Sequence, residues 1–182
     1  MPIEDTRSAQ TGTQENILLS STWQPQTLAE PPSREEEKRR IILLVEDDRG
    51  DQLLTQEALG ESARRRKLLV VSDGEEAMRY LRQVGEYGDP LRAPRPDLIL
   101  LDLNMPRVNG RQVAEQIKAD SDLKLIPVVV LSTSNHPDDV RYCYRVGVNA
   151  YVHKPTNFDD FVETVQAIEQ YWLRIVEAPT AS

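Results

Sequence analysis

Five short apolar runs constrain this chain more than anything else in it. They read 41-IILLV-45, 68-LLVV-71, 97-DLILL-101, 127-PVVVL-131 and 150-AYV-152. Each is short for a helix and lacks the alternation of a half-exposed strand, so each reads as a strand buried on both faces. An amphipathic segment follows each run. Its apolar residues recur at helical spacing: Leu53, Leu54, Ala58 and Leu59 in 50–60; Ala77, Met78, Leu81 and Val84 in 74–84; Val113, Ala114 and Ile117 in 110–119; Val140, Cys143, Tyr144 and Val146 in 137–146. The last segment, 157–176, carries Phe158, Phe161, Val162, Val165, Ile168, Trp172, Ile175 and Val176. Five strand–helix units in succession predict an α/β fold of the (βα)₅ type. Its doubly wound, parallel five-stranded sheet has helices on both faces.

The 182 residues allow one domain of ordinary size and a tail. Residues 1–38 are rich in Pro, Ser, Thr and Gln and end in a charge run, so they read as a disordered or loosely attached arm. The folded domain is expected over 39–176, with 177–182 as a tail. No stretch approaches the roughly 18 apolar residues of a membrane span. The acidic N-terminus lacks the basic start of a signal peptide. One cysteine, Cys143, excludes an intramolecular disulfide and fits a reducing compartment, the cytoplasm; its place is that of a small apolar residue on its helix. A net charge of −8 argues against nucleic acid as a partner. The one basic cluster, Arg64-Arg65-Arg66-Lys67, reads as a solvated loop. His136 and His153 are expected at the surface and make a poor zinc site.

In doubly wound sheets, ligands bind beyond the carboxyl ends of the strands. The residues there are Glu46, Asp47 and Asp48 after the first run, Asp102 after the third, Ser132 and Thr133 after the fourth, and Lys154-Pro155 after the fifth. Each alone has an ordinary reading as a helix cap, turn residue or loop residue. Together they form a negative rim with one positive group. The second run ends in Val71-Ser72-Asp73-Gly74, an ordinary helix start. Clustered carboxylates repel one another, and some take up protons unless a cation offsets them. A hard divalent ion such as Mg²⁺ takes oxygen ligands and commonly one or two carboxylates. Asp102 between such an ion and Lys154 has a reason to exist as a nucleophile toward phosphorus.

The motifs 41-IILLVEDD-48, 99-ILLDLNMPRVNG-110, 127-PVVVLSTS-134 and 151-YVHKP-155 in combination resemble the receiver domains of two-component response regulators. The resemblance covers about residues 40–176. It implies the flavodoxin-like receiver fold, with Asp102 accepting a phosphoryl group from a histidine kinase in a Mg²⁺-dependent reaction. Glu46 and Asp47 would position the Mg²⁺, together with Asp102 and the backbone carbonyl of Asn104. Ser132 matches the family's hydroxyl position and Lys154 the lysine that contacts the phosphoryl group. Tyr151 stands where the family often has an aromatic that rotates inward on activation. Two departures stand out: Glu46 where many receivers have Asp, and Ser132 where Thr is commoner. The first bears on metal affinity, and both bear on the rate of dephosphorylation.

The segments 50-GDQLLTQEALGE-61, 85-GEYGDPLRAPRPDLILLDLN-104 and 169-EQYWLRIV-176 are similar to the small response regulators paired with bacterial and cyanobacterial phytochromes. That resemblance implies a phytochrome-type kinase as partner and a homodimer through the fourth helix, fifth strand and fifth helix. On a helical wheel, the apolar residues of the last segment span about 160°, more than covering a sheet requires. Tyr171 borders that sector, and Tyr142 lies on the preceding helix. The reading is a switch that catalyses only its own phosphorylation and dephosphorylation, not an enzyme. A haloacid-dehalogenase-type phosphatase also pairs a strand-end Asp with Mg²⁺ and Lys. It needs a second Asp two residues on as general acid, and here that position is Asn104. A flavodoxin-like cofactor carrier would need a phosphate loop where Glu46-Asp47-Asp48 stands. A receiver that binds partners without phosphorylation would not need the complete acidic pocket.

Overall fold

A computed structural model of the chain describes residues 39–60, 66–105 and 108–177. The expected arm over 1–38, the last residues of the expected tail and the first part of the basic cluster, Arg64 and Arg65, lie outside the described residues. The elements run β1 (Arg40–Val45), α1 (Arg49–Leu59), β2 (Arg66–Val71), α2 (Gly74–Leu81), β3 (Leu98–Leu101), α3 (Gly110–Ala119), β4 (Val128–Ser132), α4 (Pro137–Val146), β5 (Ala150–His153) and α5 (Phe158–Gln170). A π-helical turn, Tyr171–Ile175, follows α5. The five strands form one parallel sheet in the order β2-β1-β3-β4-β5. This is the predicted doubly wound (βα)₅ fold.

Alternation along the strands sorts the core into two layers. Leu43, Val45, Ile99, Leu101, Val128 and Val130 face α2, α3 and α4. Ile42, Leu44, Leu98, Leu100, Val129 and Leu131 face α1 and α5. Full burial of each such side chain contributes about 1.5–3 kcal/mol relative to exposure. Cys143 is buried in the first layer, as expected of a small apolar residue. The helices begin at side-chain caps. Asp48, Asp73, Asn109 and Asn157 each accept from the backbone N–H three residues on, and His136 accepts from that of Asp138.

Several expectations from helical spacing need correction. Leu53 is 49% exposed, whereas Gln52 and Thr55 are buried. The polar pair is satisfied locally, Gln52 Nε2 by the carbonyl of Glu46 at 2.7 Å and Thr55 Oγ1 by the carbonyl of Asp51 at 2.8 Å. That turns the intervening Leu53 outward. α2 stops at Leu81, because Gln83 takes a positive φ of 52°, and Val84 is left exposed. Tyr144 on α4 is exposed, while Asp139 is buried. Phe158 and Ile175, placed on the apolar face of the last helix, are also exposed, and the regular α-helix ends at Gln170. Arg66, expected in a solvated loop, is instead the buried first residue of β2. Its guanidinium meets Glu169 of α5 and the carbonyl of Leu59. Pairing with Glu169 lets the cation enter the protein.

The register then fixes the functional edge. Val45 pairs with Val71 and Leu101, Leu101 with Val130, and Ser132 with His153. The next residue in each chain continues the ladder: Glu46 N–H donates to Val71 O, Asp102 N–H to Val45 O and Lys154 N–H to Ser132 O. Four chemically distinct residues thus arrive at one rim. Glu46 and Asp102 flank the gap between β1 and β3, where the strand order reverses.

Candidate functional site: an acidic rim around Asp102

Asp102 leaves the end of β3 buried, within a cluster of opposite and like charge. Carboxylate oxygens of Glu46, Asp47 and Asp102 all lie within 4.8 Å of one another. Glu46 is 2% exposed, whereas Asp47 reaches solvent. Three oxygen donors this close fit a hard divalent cation, with the exposed side left for water ligands. Asp48, the third acid of the run, serves elsewhere. Its side chain caps α1 by accepting from Asp51 N–H at 2.9 Å, and its own N–H donates to Glu46 Oε1 at 3.1 Å.

Lys154 is buried, and its ammonium carries the single positive charge into the rim. Nζ stands 2.6 Å from Glu46 Oε2, 2.7 Å from Asp51 Oδ2 and 3.3 Å from Asp102 Oδ2. Burial works against its charge. Hydrogen bonds to Asp51 and Glu46, with the field of Asp102, overcome that and hold its pKa above the usual lysine value. Glu46 shows the opposite balance. Burial raises its pKa to about 7, against the pull of Lys154 and with the nearby charge of Asp102 adding to the rise.

The hydroxyl side is built by the β4–α4 loop. Ser132 is fully buried, and its Oγ accepts from Ser134 N–H at 3.2 Å. Asn104 N–H donates to Asp102 Oδ1 at 3.2 Å. Its side-chain amide lies 3.4 Å from Ser132 Oγ and 3.2 Å from Thr133 Oγ1. Tyr151, half-buried on β5, donates its hydroxyl to the carbonyl of Ser134 at 2.7 Å. Ser134 Oγ in turn donates to Asp139, which also receives Arg111 of α3. Arg111 lies over the ring of Tyr142, 5.7 Å from its centroid.

The residues singled out in the sequence, Glu46, Asp47, Asp102, Asn104, Ser132 and Lys154, therefore meet at one edge, with Tyr151 one hydrogen bond behind Ser134. Sequence reasoning passed over Asp51, Ser134, Asp139 and Arg111. Asp51 is indistinguishable in sequence from an ordinary first-turn acid of a helix. Its contact with a lysine 103 positions away exists only through the β1–β3–β4–β5 pairing.

The chain is similar to known proteins in sequence and fold. The family model for the response regulator receiver domain matches residues 42–166. The response regulator Rcp1 of Synechocystis sp. is 47% identical over 133 residues, 73% of this chain and 88% of Rcp1. Among solved structures, the phosphorylated cyanobacterial phytochrome response regulator RcpA superposes with a TM-score of 0.75 at 48% identity, over 79% of this chain and all of that one. The Mn²⁺-bound form of Rcp1 gives a TM-score of 0.72 at 48% identity, over 78% of this chain and 99% of that one. The parallel (βα)₅ sheet, the acid-lined gap between β1 and β3 and these matches lead to one assignment: the chain belongs to the response regulator receiver domain family.

Proposed function

We propose that this receiver accepts a phosphoryl group on Asp102 from the phosphohistidine of a phytochrome-type histidine kinase, in a Mg²⁺-dependent reaction. The observation that carries this reading is the 3.3 Å approach of Lys154 Nζ to Asp102 Oδ2, with oxygens of Asp102, Glu46 and Asp47 within 4.8 Å of one another. Similarity to a phosphorylated phytochrome response regulator and to a Mn²⁺-bound one supports the donor and the cation. Glu46, Asp47 and Asp102, with the Asn104 carbonyl, would hold the ion. A bound Mg²⁺ supplies positive charge against the transferring oxygens.

An oxygen of the Asp102 carboxylate attacks phosphorus as the phosphohistidine P–N bond breaks, and the histidine keeps that electron pair. Lys154 and the Ser132 hydroxyl donate to the anionic phosphoryl oxygens. The protein catalyses its own phosphorylation and dephosphorylation and turns over no separate substrate. Asn104 in place of an acid agrees with this, since an amide cannot serve as general acid.

The signal then travels through Ser134. Taking phosphoserine as a guide, the new group adds about 1.5 to 2 negative charges. Ser132 turns toward it and gives up the Ser134 N–H. The β4–α4 loop follows, Tyr151 loses the Ser134 carbonyl, and its ring moves into the space left. The affected surface comprises α4, β5, α5 and the turn after it, where Tyr144, Tyr171 and Ile175 are exposed. A second copy of the chain covers this face in a homodimer, and the protein works in the cytoplasm without contacting nucleic acid or membrane. Among the described residues, no helix is long and apolar enough to cross a bilayer.

The test is incubation with acetyl phosphate and Mg²⁺ followed by intact mass. Wild type gains one phosphoryl group, and neither Asp102→Asn nor wild type in chelator does. Equal labelling of Asp102→Asn removes the proposal.

A further inference from the structure

Lys154 has more carboxylates than its role at Asp102 requires. An ammonium carries three N–H donors. Two are taken, by Glu46 Oε2 at 2.6 Å and by Asp51 Oδ2 at 2.7 Å. Asp102 Oδ2 is farther, at 3.3 Å, within ion-pair reach but outside the hydrogen bonds Nζ makes. The third donor is thus left on the side of the phosphoryl acceptor.

The two anchors are not equivalent. Glu46 belongs to the group of oxygens that could share a divalent ion, and Asp51 does not. Once Glu46 is engaged by a cation, its charge is divided and the ammonium faces a like-charged neighbour. Asp51 then remains as the carboxylate that holds Lys154 against that repulsion. Its place suits this role. It sits in the first turn of α1, its N–H is fixed by the cap Asp48, and its side chain is 30% exposed.

We infer that Asp51 is a positioning residue: it anchors Lys154 so that one N–H of the ammonium stays directed at the phosphoryl group on Asp102 while Glu46 serves the metal. The inference rests on the phosphorylation reading above. It adds a carboxylate that neither touches the phosphoryl group nor ligates the ion, and that acts only through Lys154.

Neutralising such a residue leaves the metal-free fold no weaker, because Lys154 keeps other carboxylates around it. In the metal-free protein, Glu46, Asp51 and Asp102 share a single ammonium, so neutralising Asp51 leaves two partners in place and relieves repulsion among the carboxylates. A merely structural Asp51 would behave in the opposite way.

The experiment uses the full chain with acetyl phosphate at saturating Mg²⁺, alongside thermal melting of the metal-free protein. Asp51→Asn lowers the phosphorylation rate about tenfold, the equivalent of one hydrogen bond to a charged group. Its metal-free Tm stays level or rises. Asp51→Glu, which keeps a carboxylate, recovers most of the rate. In a Lys154→Met background, Asp51→Asn has no further effect, because the group it positions is gone. A wild-type rate for Asp51→Asn overturns the inference. So does a rate loss matched by a lower Tm, or losses that multiply in the double variant. Absence of any phosphoryl gain in wild type overturns the phosphorylation reading itself, and the role of Asp51 with it.

Discussion

A Cβ added to Gly110 would stand 2.0 Å from the carbonyl oxygen of Asp102 and 2.7 Å from the Cα of Leu103. The first residue of α3 is thus packed directly on the backbone that carries the candidate phosphoryl acceptor. Gly110 N–H also donates to the carbonyl of Leu103 at 3.1 Å. Only hydrogen fits there, since the neighbouring atoms are backbone and cannot turn aside.

Gly110→Ala should accordingly push α3 off the end of β3. Overpacking of this kind costs about 1–3 kcal/mol, and urea unfolding would register it as a lower midpoint with an unchanged slope. The phosphorylation rate should fall as well, because Asp102 moves relative to Lys154. A stability equal to wild type would show that the contact is not as close as described.

Glu46 gives the pH dependence. Its pKa of about 7 lies above the ordinary value of 4.5, mainly through burial. A proton on Glu46 competes with a cation for the same oxygens. Apparent Mg²⁺ affinity should therefore rise as pH increases through 7 and level off above about pH 8, with proton release at the lower end. Calorimetry in buffers of different ionisation heat measures both. Glu46→Gln should bind the ion more weakly and lose most of this dependence. An affinity flat in pH for wild type would contradict it.

Lys118 is a structural counterpart to Lys154. Its ammonium donates to the carbonyls of Lys124 and Ile126 and to Asn149 Oδ1, tying α3 to the starts of β4 and β5. Burial pushes its pKa down to about 8. Lys118→Met should destabilise the fold by about 1–3 kcal/mol through unpaired acceptors, without changing the phosphorylation rate per folded molecule. Loss of rate with intact stability would assign it a role in the reaction.

Ile175 tests the assembly. It is 65% exposed beyond α5, next to exposed Tyr171. Ile175→Glu should leave the melting temperature of the isolated protomer unchanged and shift light scattering from dimer to monomer. A wild-type protein that stays monomeric with and without a phosphoryl mimic would reject the homodimer.

Most of the fold could be read from the chain because the core is two-sided. Strands buried on both faces leave continuous apolar runs, and β1, β3 and β4 carry the clearest ones. The strand-end residues followed, since a parallel register brings carboxyl ends to one rim. What could not be read were polar groups made buriable by tertiary partners. Arg66 enters the core because Glu169 meets it, and Gln52 because a carbonyl of the β1–α1 loop accepts from it. The helix ends were lost for a related reason. Val84 continues the apolar spacing of α2, but the chain turns at Gln83. Asp51 and Asp139 look like helix-start acids until Lys154 and Arg111 arrive from elsewhere in the sequence.

The central claim is that Asp102 is the phosphoryl acceptor. Reduction of the phosphorylated protein with borohydride converts an acyl phosphate of aspartate to homoserine, and peptide mass mapping locates it. The account predicts homoserine at position 102 alone, and none in protein treated without Mg²⁺. Homoserine at another aspartate, or a phosphoryl group on a serine, threonine or histidine in its place, would contradict it.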